Sequence, residues 1–381
     1  MKKIHITLVG GQPIPVYLGI VSQECDEVIL VHSDTTLNEA KIIEKNTHKP
    51  CTFIACAPTD LPNIREQAEK LFKASQDCEV VLNVTSGTKP WTLIFHQRFL
   101  SHPNCKIIYI DQLNRSYDLQ TSDVSQLDID LFKRFELYGN PLQNYIPFDL
   151  YTDADKNAIR FIEKARRTNF NDFKSLTNHD VSEYESNEGM LVADGYREQG
   201  SHMRWNWNEG WVEFSMVSYK DLTTQDIRIE LDHPKEIVIN TAWFEVKTAI
   251  ELSKNPLVKK ILLNCEFLSN DQNPKNEVDI IADFGTRLLF VECKTMINKI
   301  TDIDKVRSAM RNYSGTSSTG VFVTNDIVNT NNSTLLNKYM SALEKCRDND
   351  ILTFNFGLWD KKPATGLNSI INNHINKINK R

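Results

Sequence analysis

The stretch from Asn276 to Lys294, NEVDIIADFGTRLLFVECK, predicts two short strands joined by a tight turn. In the first strand, Glu277–Phe284, apolar and acidic side chains alternate, as in a strand with one buried face. The second strand, Arg287–Lys294, has four consecutive apolar residues after Arg287 and ends in a charged Glu-Cys-Lys sequence. An isolated buried charge is strongly disfavoured. The charged end of this apolar strand therefore indicates a functional site in which partner charges stabilise these side chains.

Two carboxylates of this predicted hairpin are expected on the same face. Glu292 and Lys294 lie two positions apart on a strand, so their side chains project together, roughly 7 Å apart. If the turn centres on Phe284-Gly285, Asp279 lies opposite Phe290, diagonal to Glu292 and on the same face. Two such carboxylates suit one hard divalent cation. We predict that they bind Mg²⁺ or Mn²⁺; the alternative is an ion pair at a sheet edge.

The first 112 residues alternate strand and helix patterns. Five apolar runs are separated by segments of helical spacing, which predicts a parallel, doubly wound sheet. Ligands bind such sheets at the carboxyl ends of the strands. The predicted strands are Ile4–Val9, Val28–Val31, Thr52–Ala57, Val80–Val84 and Ile107–Ile110.

The loop after the fourth strand, Thr85-Ser86-Gly87-Thr88-Lys89, combines small hydroxyls, a glycine and a lysine before a helix. Its backbone N–H groups could cradle phosphates at the helix N-terminus. The sequence contains neither a Walker A loop nor a GxGxxG fingerprint at these loops. A plain βα turn without a ligand is the alternative.

Two short motifs in this part resemble the CARF domains, Rossmann-like sensors of cyclic oligoadenylate. NVTSGTKPW is similar to their second ligand-binding motif, and LVGGQP after the first strand is similar to their first motif. The resemblance implies a homodimer that binds a cyclic RNA ring across its axis. It also implies that the ring contacts Gly10, Gly11, Gln12, Thr85, Ser86, Gly87, Thr88 and Lys89.

The segment after the predicted sensor is less regular. We place the sensor at residues 1–150 and a linker or wing-like insert at residues 151–235. Within the insert, Arg204–Trp211 alternates aromatic and polar residues. Such a pattern can stack nucleic-acid bases, but we favour a strand that buries its indoles.

Residues 236–381 show the order helix, three strands, helix, strand. This order resembles the PD-(D/E)xK fold of restriction-endonuclease-like enzymes. The resemblance implies that Asp279, Glu292 and Lys294 are the Asp and the ExK of the family motif, and that Glu245 is its helix acid. Asp279, Glu292 and Glu245 would then hold the metal, and Lys294 would position or deprotonate the attacking water.

Composition restricts the functional classes. The net charge is −6, and the eight cysteines include no CxxC pair. Reduced cysteines, no long apolar run and no basic-apolar leader predict a cytoplasmic protein without a membrane span. Of the segments 1–150, 151–240 and 241–381, only the last contains more Lys and Arg than Asp and Glu. This excess suits a polyanionic substrate, or it reflects chance variation in composition.

Together, the patterns predict an α/β protein with an N-terminal Rossmann-like CARF domain and a C-terminal restriction-endonuclease-like domain. The chain resembles the CARF nucleases of type III CRISPR systems that cyclic tetra-adenylate activates. The resemblance implies a metal-dependent homodimer that cleaves single-stranded DNA or RNA, or nicks duplex DNA, in antiviral defence. Three alternatives are a cyclic-nucleotide-sensing DNA-binding regulator, a ring nuclease that cuts its own ligand, and an ungated restriction or repair nuclease.

Overall fold

The computed structural model describes residues 1–178, 181–193, 200–239, 242–268, 275–295, 301–313, 318–325, 333–359 and 366–379. The strands of these residues form three sheets, of seven, four and six strands. The first and last are α/β layers, which confirms the predicted fold class.

The first sheet is the predicted doubly wound sheet. Its strands are β1 (Lys2–Leu8), β2 (Glu27–His32), β3 (Cys51–Ala55), β4 (Cys78–Asn83), β5 (Cys105–Ile110), β6 (Arg115–Asp118) and β7 (Val124–Gln126). Its helices are α1 (Pro13–Val21), α2 (Leu37–Thr47), α3 (Leu61–Ala74), α4 (Lys89–Phe99) and α5 (Leu131–Leu137). The order is β3-β2-β1-β4-β5-β6-β7. The first five strands are parallel, and β6 and β7 form an antiparallel extension.

Helices cover both faces of this sheet. On one face, Ile6 and Leu8 of β1 belong to a cluster with Phe72 of α3 and Phe95 of α4. On the other face, apolar residues of β2 pack against α1 and α2. Burial on both faces explains why the strands are almost continuously apolar. The strand order reverses between β1 and β4, so the loops that follow these two strands meet at one edge.

The middle segment forms an antiparallel sheet with the order β12-β11-β10-β9. Its strands are β9 (Glu188–Val192), β10 (His202–Asn206), β11 (Trp211–Val217) and β12 (Thr224–Glu230), and its helices are α6 (Asp153–Thr168), α7 (Phe170–Thr177) and α8 (Pro234–Val238). Trp205 is buried, and its indole N–H donates to the Ser186 carbonyl at 3.0 Å. The Trp207 indole donates to the Tyr184 carbonyl at 2.9 Å. The favoured interpretation, a strand that buries its indoles, therefore holds for Trp205, whereas Trp207 follows the end of β10 and is half-buried.

The third sheet has the order β17-β16-β15-β14-β13-β8. Its strands are β8 (Leu142–Pro147), β13 (Lys260–Phe267), β14 (Lys275–Asp283), β15 (Leu288–Lys294), β16 (Ser318–Thr324) and β17 (Leu352–Asn355). Its helices are α9 (Ala242–Ser253), α10 (Thr301–Tyr313), α11 (Ser333–Asp348), α12 (Phe356–Trp359) and α13 (Leu367–Asn379). The predicted order of helix, three strands, helix and strand is present. Beyond this predicted order, the C-terminal residues include helix α13, whose Leu367 and Ile371 are buried.

Strand β8 links the first and third sheets. It lies inside the predicted 1–150 sensor, yet it pairs antiparallel with β13. It follows α5 after a turn at Gly139, which has a φ of +70°. The chain therefore enters the third sheet before it builds the middle segment.

The hairpin of β14 and β15 differs in register from the prediction. Ile281 pairs with Phe290 and Asp283 with Leu288, so the turn centres on Gly285-Thr286 rather than Phe284-Gly285. Continuing this register places Asp279 directly opposite Glu292, not opposite Phe290. The displacement is two residues, and because side chains alternate with a period of two, the predicted shared face is preserved.

Candidate functional site

Asp279, Glu292 and Lys294 form a compact charged cluster on the third sheet. Lys294 Nζ lies 2.8 Å from Glu292 Oε1 and 3.3 Å from Asp279 Oδ2. The Cys293 N–H also donates to Asp279 Oδ2 at 2.7 Å. Glu292 is 3% exposed and Asp279 is 9% exposed. The structure therefore brings together three of the four predicted catalytic residues.

The two faces of β15 have different surroundings. Leu288 and Phe290, on the face of Glu292, belong to a cluster with Tyr313 of α10. Cys293, on the other face, is buried in the cluster that includes α9. The acids therefore lie on the side of the sheet that α10 covers.

Burial of the cluster changes its protonation. Burial raises the pKa of Glu292 to about 7, and the negative charge of Asp279 adds to this effect, whereas Lys294 opposes it. Burial lowers the pKa of Lys294, but the two carboxylates outweigh it and the net shift is upward. Lys294 therefore remains charged at neutral pH and stabilises the carboxylates beside it.

Glu245, in the first turn of α9, is electrostatically part of this cluster. Burial and then the charge of Asp279 raise the pKa of Glu245 well above its ordinary value. Glu277, an exposed residue of β14, has its pKa raised by burial of its carboxyl and then by Asp279. The cluster thus has more carboxyl groups than the single ammonium of Lys294 can neutralise.

These donors fit a hard divalent cation in their chemistry, because carboxylate oxygens are the ligands that Mg²⁺ and Mn²⁺ prefer. Among the described residues, however, no group of three His, Cys, Asp or Glu side chains stands in metal-binding geometry. The Lys294 ammonium contacts both Asp279 and Glu292 in the structure. Metal binding by these residues therefore requires Lys294 to turn away from the carboxylates.

Helix α10 brings a further cation to the cluster. Lys305 is exposed, and its positive charge is among the influences that lower the pKa of Glu292 and of Glu277. Lys305 therefore interacts electrostatically with the acids.

Strand β13 is irregular beside Asp279. Its residue Asn264 has a φ of +48°, in the left-handed region that few residues other than glycine adopt. Continuing the pairing of Leu263 with Ile280 places Asn264 opposite Asp279. Irregular strands often lie next to active sites. No sequence pattern indicated this residue.

The second candidate site is a cavity of about 270 Å³ at the carboxyl ends of β1 and β4. Six of the eight predicted ligand contacts line it. They are Gly10, Gly11, Gln12, Thr85, Ser86 and Gly87. The other two lie at the start of α4: Thr88 Oγ1 accepts from the Trp91 N–H at 3.4 Å and donates to the Pro58 carbonyl at 2.7 Å, and Lys89 is the first helical residue. Their roles as ligand contacts stay predictions.

Close backbone packing explains the glycines of this cavity. A Cβ on Gly10 would lie 2.7 Å from the Gly87 nitrogen. Gly87 has a φ of +87°, and its Cβ would meet the Trp91 ring at 2.8 Å. The Thr85 hydroxyl is already engaged, since it donates to Asn83 at 2.6 Å and accepts from the Ile110 N–H at 2.7 Å.

Further lining residues come from β5 and from beyond it. Sequence analysis did not assign them to the ligand site. Asp111 is held by Arg115 at 2.7 Å and Tyr117 at 3.1 Å. Tyr138, at the end of α5, donates to Gln12 at 3.0 Å. The remaining members of this group are Tyr109, Ile110, Gln112 and Asn114.

Comparison with known proteins identifies the domain that carries this cavity. Residues 4–137 match the family model of the Card1 CARF domain. This region is a CARF domain. A CRISPR system endoribonuclease Csm6 from Thermus thermophilus is 23% identical over 121 residues, which are 30% of this chain and 25% of Csm6. The chain thus spans about a quarter of the length of that relative.

Solved structures share the fold over most of the chain. Can2 from Sulfobacillus thermosulfidooxidans, in complex with cyclic tetra-adenylate, has a TM-score of 0.62 and 18% identity, covering 94% of this chain and 96% of Can2. VC1899 from Vibrio cholerae has a TM-score of 0.62 and 15% identity, covering 93% and 94%. A type III CRISPR defence DNA nuclease activated by cyclic oligoadenylate has a TM-score of 0.50 and 14% identity, covering 85% and 45%. At these identities the likeness establishes the arrangement of the fold.

No helix within the described ranges is long and apolar enough to cross a membrane.

Proposed function

We propose that this protein is a metal-dependent nuclease that a cyclic oligoadenylate, such as cyclic tetra-adenylate, activates. One observation carries the proposal: the Asp279, Glu292 and Lys294 cluster lies in the same chain as a CARF domain with a cavity at its switch point. The C-terminal sheet is then a PD-(D/E)xK nuclease domain in which Glu245 is the fourth functional residue.

In the proposed reaction the carboxylates bind the metal. Asp279, Glu292 and Glu245 would hold Mg²⁺ or Mn²⁺. The bound cation supplies a Lewis acid that activates water and stabilises negative charge on a phosphodiester. Deprotonation of Glu292 prepares this site, because a ligand carboxyl must give up its proton before it can bind a metal.

Lys294 has two roles in the proposed site, one without and one with the metal. In the structure it neutralises the two carboxylates. When it turns away from them, its ammonium is placed to hold the attacking water or to stabilise charge on the phosphate. The same residue thus stabilises the free site and serves the reaction in the loaded one.

The size of the CARF cavity supports a homodimer. Pockets that enclose a drug-sized ligand have volumes of about 300–1,000 Å³. A cavity of about 270 Å³ is below that range, and a ring of four nucleotides is larger than a drug-sized molecule. Two copies of the cavity that face each other would contact both halves of such a ring. Ligand binding would then favour the arrangement of the two chains that is active.

A cleavage assay tests the proposal. Labelled single-stranded DNA, single-stranded RNA and supercoiled plasmid are incubated with the protein in Mn²⁺ or Mg²⁺, with and without cyclic tetra-adenylate. We expect ligand-dependent cleavage of at least one substrate, loss of cleavage in EDTA, and a decrease of about 100-fold or more in Glu292→Ala and Lys294→Met. Lys254→Met, which removes an exposed lysine of the third domain, is the matched control.

The same assay separates the alternatives. Cleavage that is equal without the ligand indicates an ungated nuclease. Binding of duplex DNA without cleavage, unchanged in Lys294→Met, indicates a regulator. Conversion of the cyclic ligand to linear fragments in the absence of metal indicates a ring nuclease.

A further inference from the structure

Helix α5 contacts both the CARF cavity and the hairpin that carries the acidic cluster. Its last turn contains Arg134, and Tyr138 follows the helix, with its N–H donating to the Arg134 carbonyl at 3.3 Å. The two residues are four positions apart, so they lie one turn apart on the same side of α5. Each makes a side-chain contact with a different functional region.

Tyr138 contacts the cavity. Its hydroxyl donates to Gln12 Oε1 at 3.0 Å. The backbone carbonyl of Gln12 accepts from the Ser86 hydroxyl at 3.4 Å, so Gln12 joins the loops after β1 and β4. A ligand that occupies the cavity meets Gln12 and therefore acts on the hydrogen bond to Tyr138.

Arg134 contacts the turn of the β14–β15 hairpin. It is 1% exposed, and its Nη2 donates to the Gly285 carbonyl in the turn between β14 and β15. Its Nε has no hydrogen-bond partner in the described residues. A buried guanidinium with an unused donor is costly. This contact is therefore sensitive to small displacements of either side.

Other residues also contact the turn at Gly285. The Gly285 N–H donates to Asp283 Oδ1 at 2.7 Å. Lys259 lies against Gly285 and pairs with Asp128 of the first domain at 2.9 Å. A movement of α5 is thus transmitted to the turn as a whole.

The hairpin can transmit such a movement to the acids. Asp279 lies six residues from Gly285 along β14, or roughly 20 Å at the rise of a strand. β14 and β15 are inner strands of a hydrogen-bonded sheet, so they move together. An open cleft of about 690 Å³, lined by Asp128, Asp149, Lys259 and Lys260, lies beside the turn and leaves room for a change in angle.

We infer that α5 couples occupancy of the CARF cavity to the alignment of the acidic cluster. Tyr138 responds to Gln12, and Arg134 holds the hairpin turn; both are positioning residues. The inference rests on the proposed function and names the element through which the ligand regulates it.

Two conservative variants test the coupling. Tyr138→Phe removes only the hydroxyl that reaches Gln12, and Arg134→Lys keeps the charge but loses the planar donor. The dissociation constant for cyclic tetra-adenylate is measured first. The cleavage rate is then compared with and without saturating ligand in Mn²⁺. The ratio of these two rates is the stimulation factor.

We expect both variants to bind the ligand and to have a stimulation factor at least about fivefold below that of the natural sequence. Tyr145→Phe on β8 is the matched control, because its hydroxyl makes no hydrogen bond to the described residues. It should keep the full stimulation factor. A merely structural role for α5 would change the rates with and without ligand equally and leave their ratio unchanged.

An unchanged stimulation factor in Tyr138→Phe, with the ligand shown to be bound, overturns the coupling even if Arg134→Lys folds poorly. If the natural sequence itself is not stimulated, the proposed function fails, and the coupling fails with it. Measuring the natural sequence first distinguishes these two failures.

Discussion

Glu292 is buried beside a second carboxylate, so the stability of the protein should depend on its proton. In the unfolded chain this carboxyl has its ordinary pKa of 4.5, whereas burial and Asp279 raise its pKa to about 7 in the folded protein. Between these values the folded state binds more protons than the unfolded state. The contribution of Glu292 to the free energy of unfolding therefore falls as the pH rises from about 4.5 to 7.

The variant Glu292→Gln should remove this dependence. Without metal, we expect it to be more stable than the natural sequence at pH 8, by at most about 3 kcal/mol, and to show little difference at pH 4.5. Denaturant unfolding in EDTA at both pH values measures the effect. A stability difference that is the same at both values would show that Glu292 does not change protonation with folding.

At the scale of elements, the loop after β4 depends on a glycine that its backbone requires. In Gly87→Ala, the new Cβ would meet the Trp91 ring at 2.8 Å in a backbone with a φ of +87°. We expect a loss of about 1–3 kcal/mol in the free energy of unfolding. Gly11→Ala is the control, because nothing lies within 4 Å of its Cβ. Thermal unfolding of both variants should show a lower midpoint for Gly87→Ala only.

The positions of the strands could be predicted from the sequence, but the register in which the hairpin strands pair could not. The five parallel strands of the seven-stranded first sheet and the two hairpin strands follow from apolar runs and alternation, which depend on burial alone. The hairpin register was wrong by two residues, because a shift of two keeps every side chain on its face and leaves the hydrophobic pattern unchanged. Helix α13 was missed because its segment carries no strong start signal.

Contacts between distant segments could not be predicted from the sequence. Tyr138 reaches Gln12 across 126 positions, and Arg134 reaches Gly285 across 151. Neither contact leaves a local pattern, since each joins segments that come together only in the folded chain, within the first domain for Tyr138 and between the first and third sheets for Arg134. The glycines and hydroxyls of the cavity, by contrast, follow strands whose parallel order brings their ends together.

At the scale of the whole molecule, the small cavity predicts how many ligands bind. If two chains enclose one ring, calorimetric titration with cyclic tetra-adenylate should give one ligand for every two chains. Light scattering should give the mass of a dimer of the 43.8 kDa chain. One ligand per chain would show that each cavity binds a ring independently.

The central claim is that the CARF cavity controls the acidic cluster. The most direct test is the initial rate of nucleic-acid cleavage in Mn²⁺ with and without saturating cyclic tetra-adenylate, with Glu292→Ala as the blank. We predict that the ligand raises the rate of the natural sequence at least about tenfold and leaves Glu292→Ala inactive. Equal rates with and without a ligand that is shown to be bound would contradict the account.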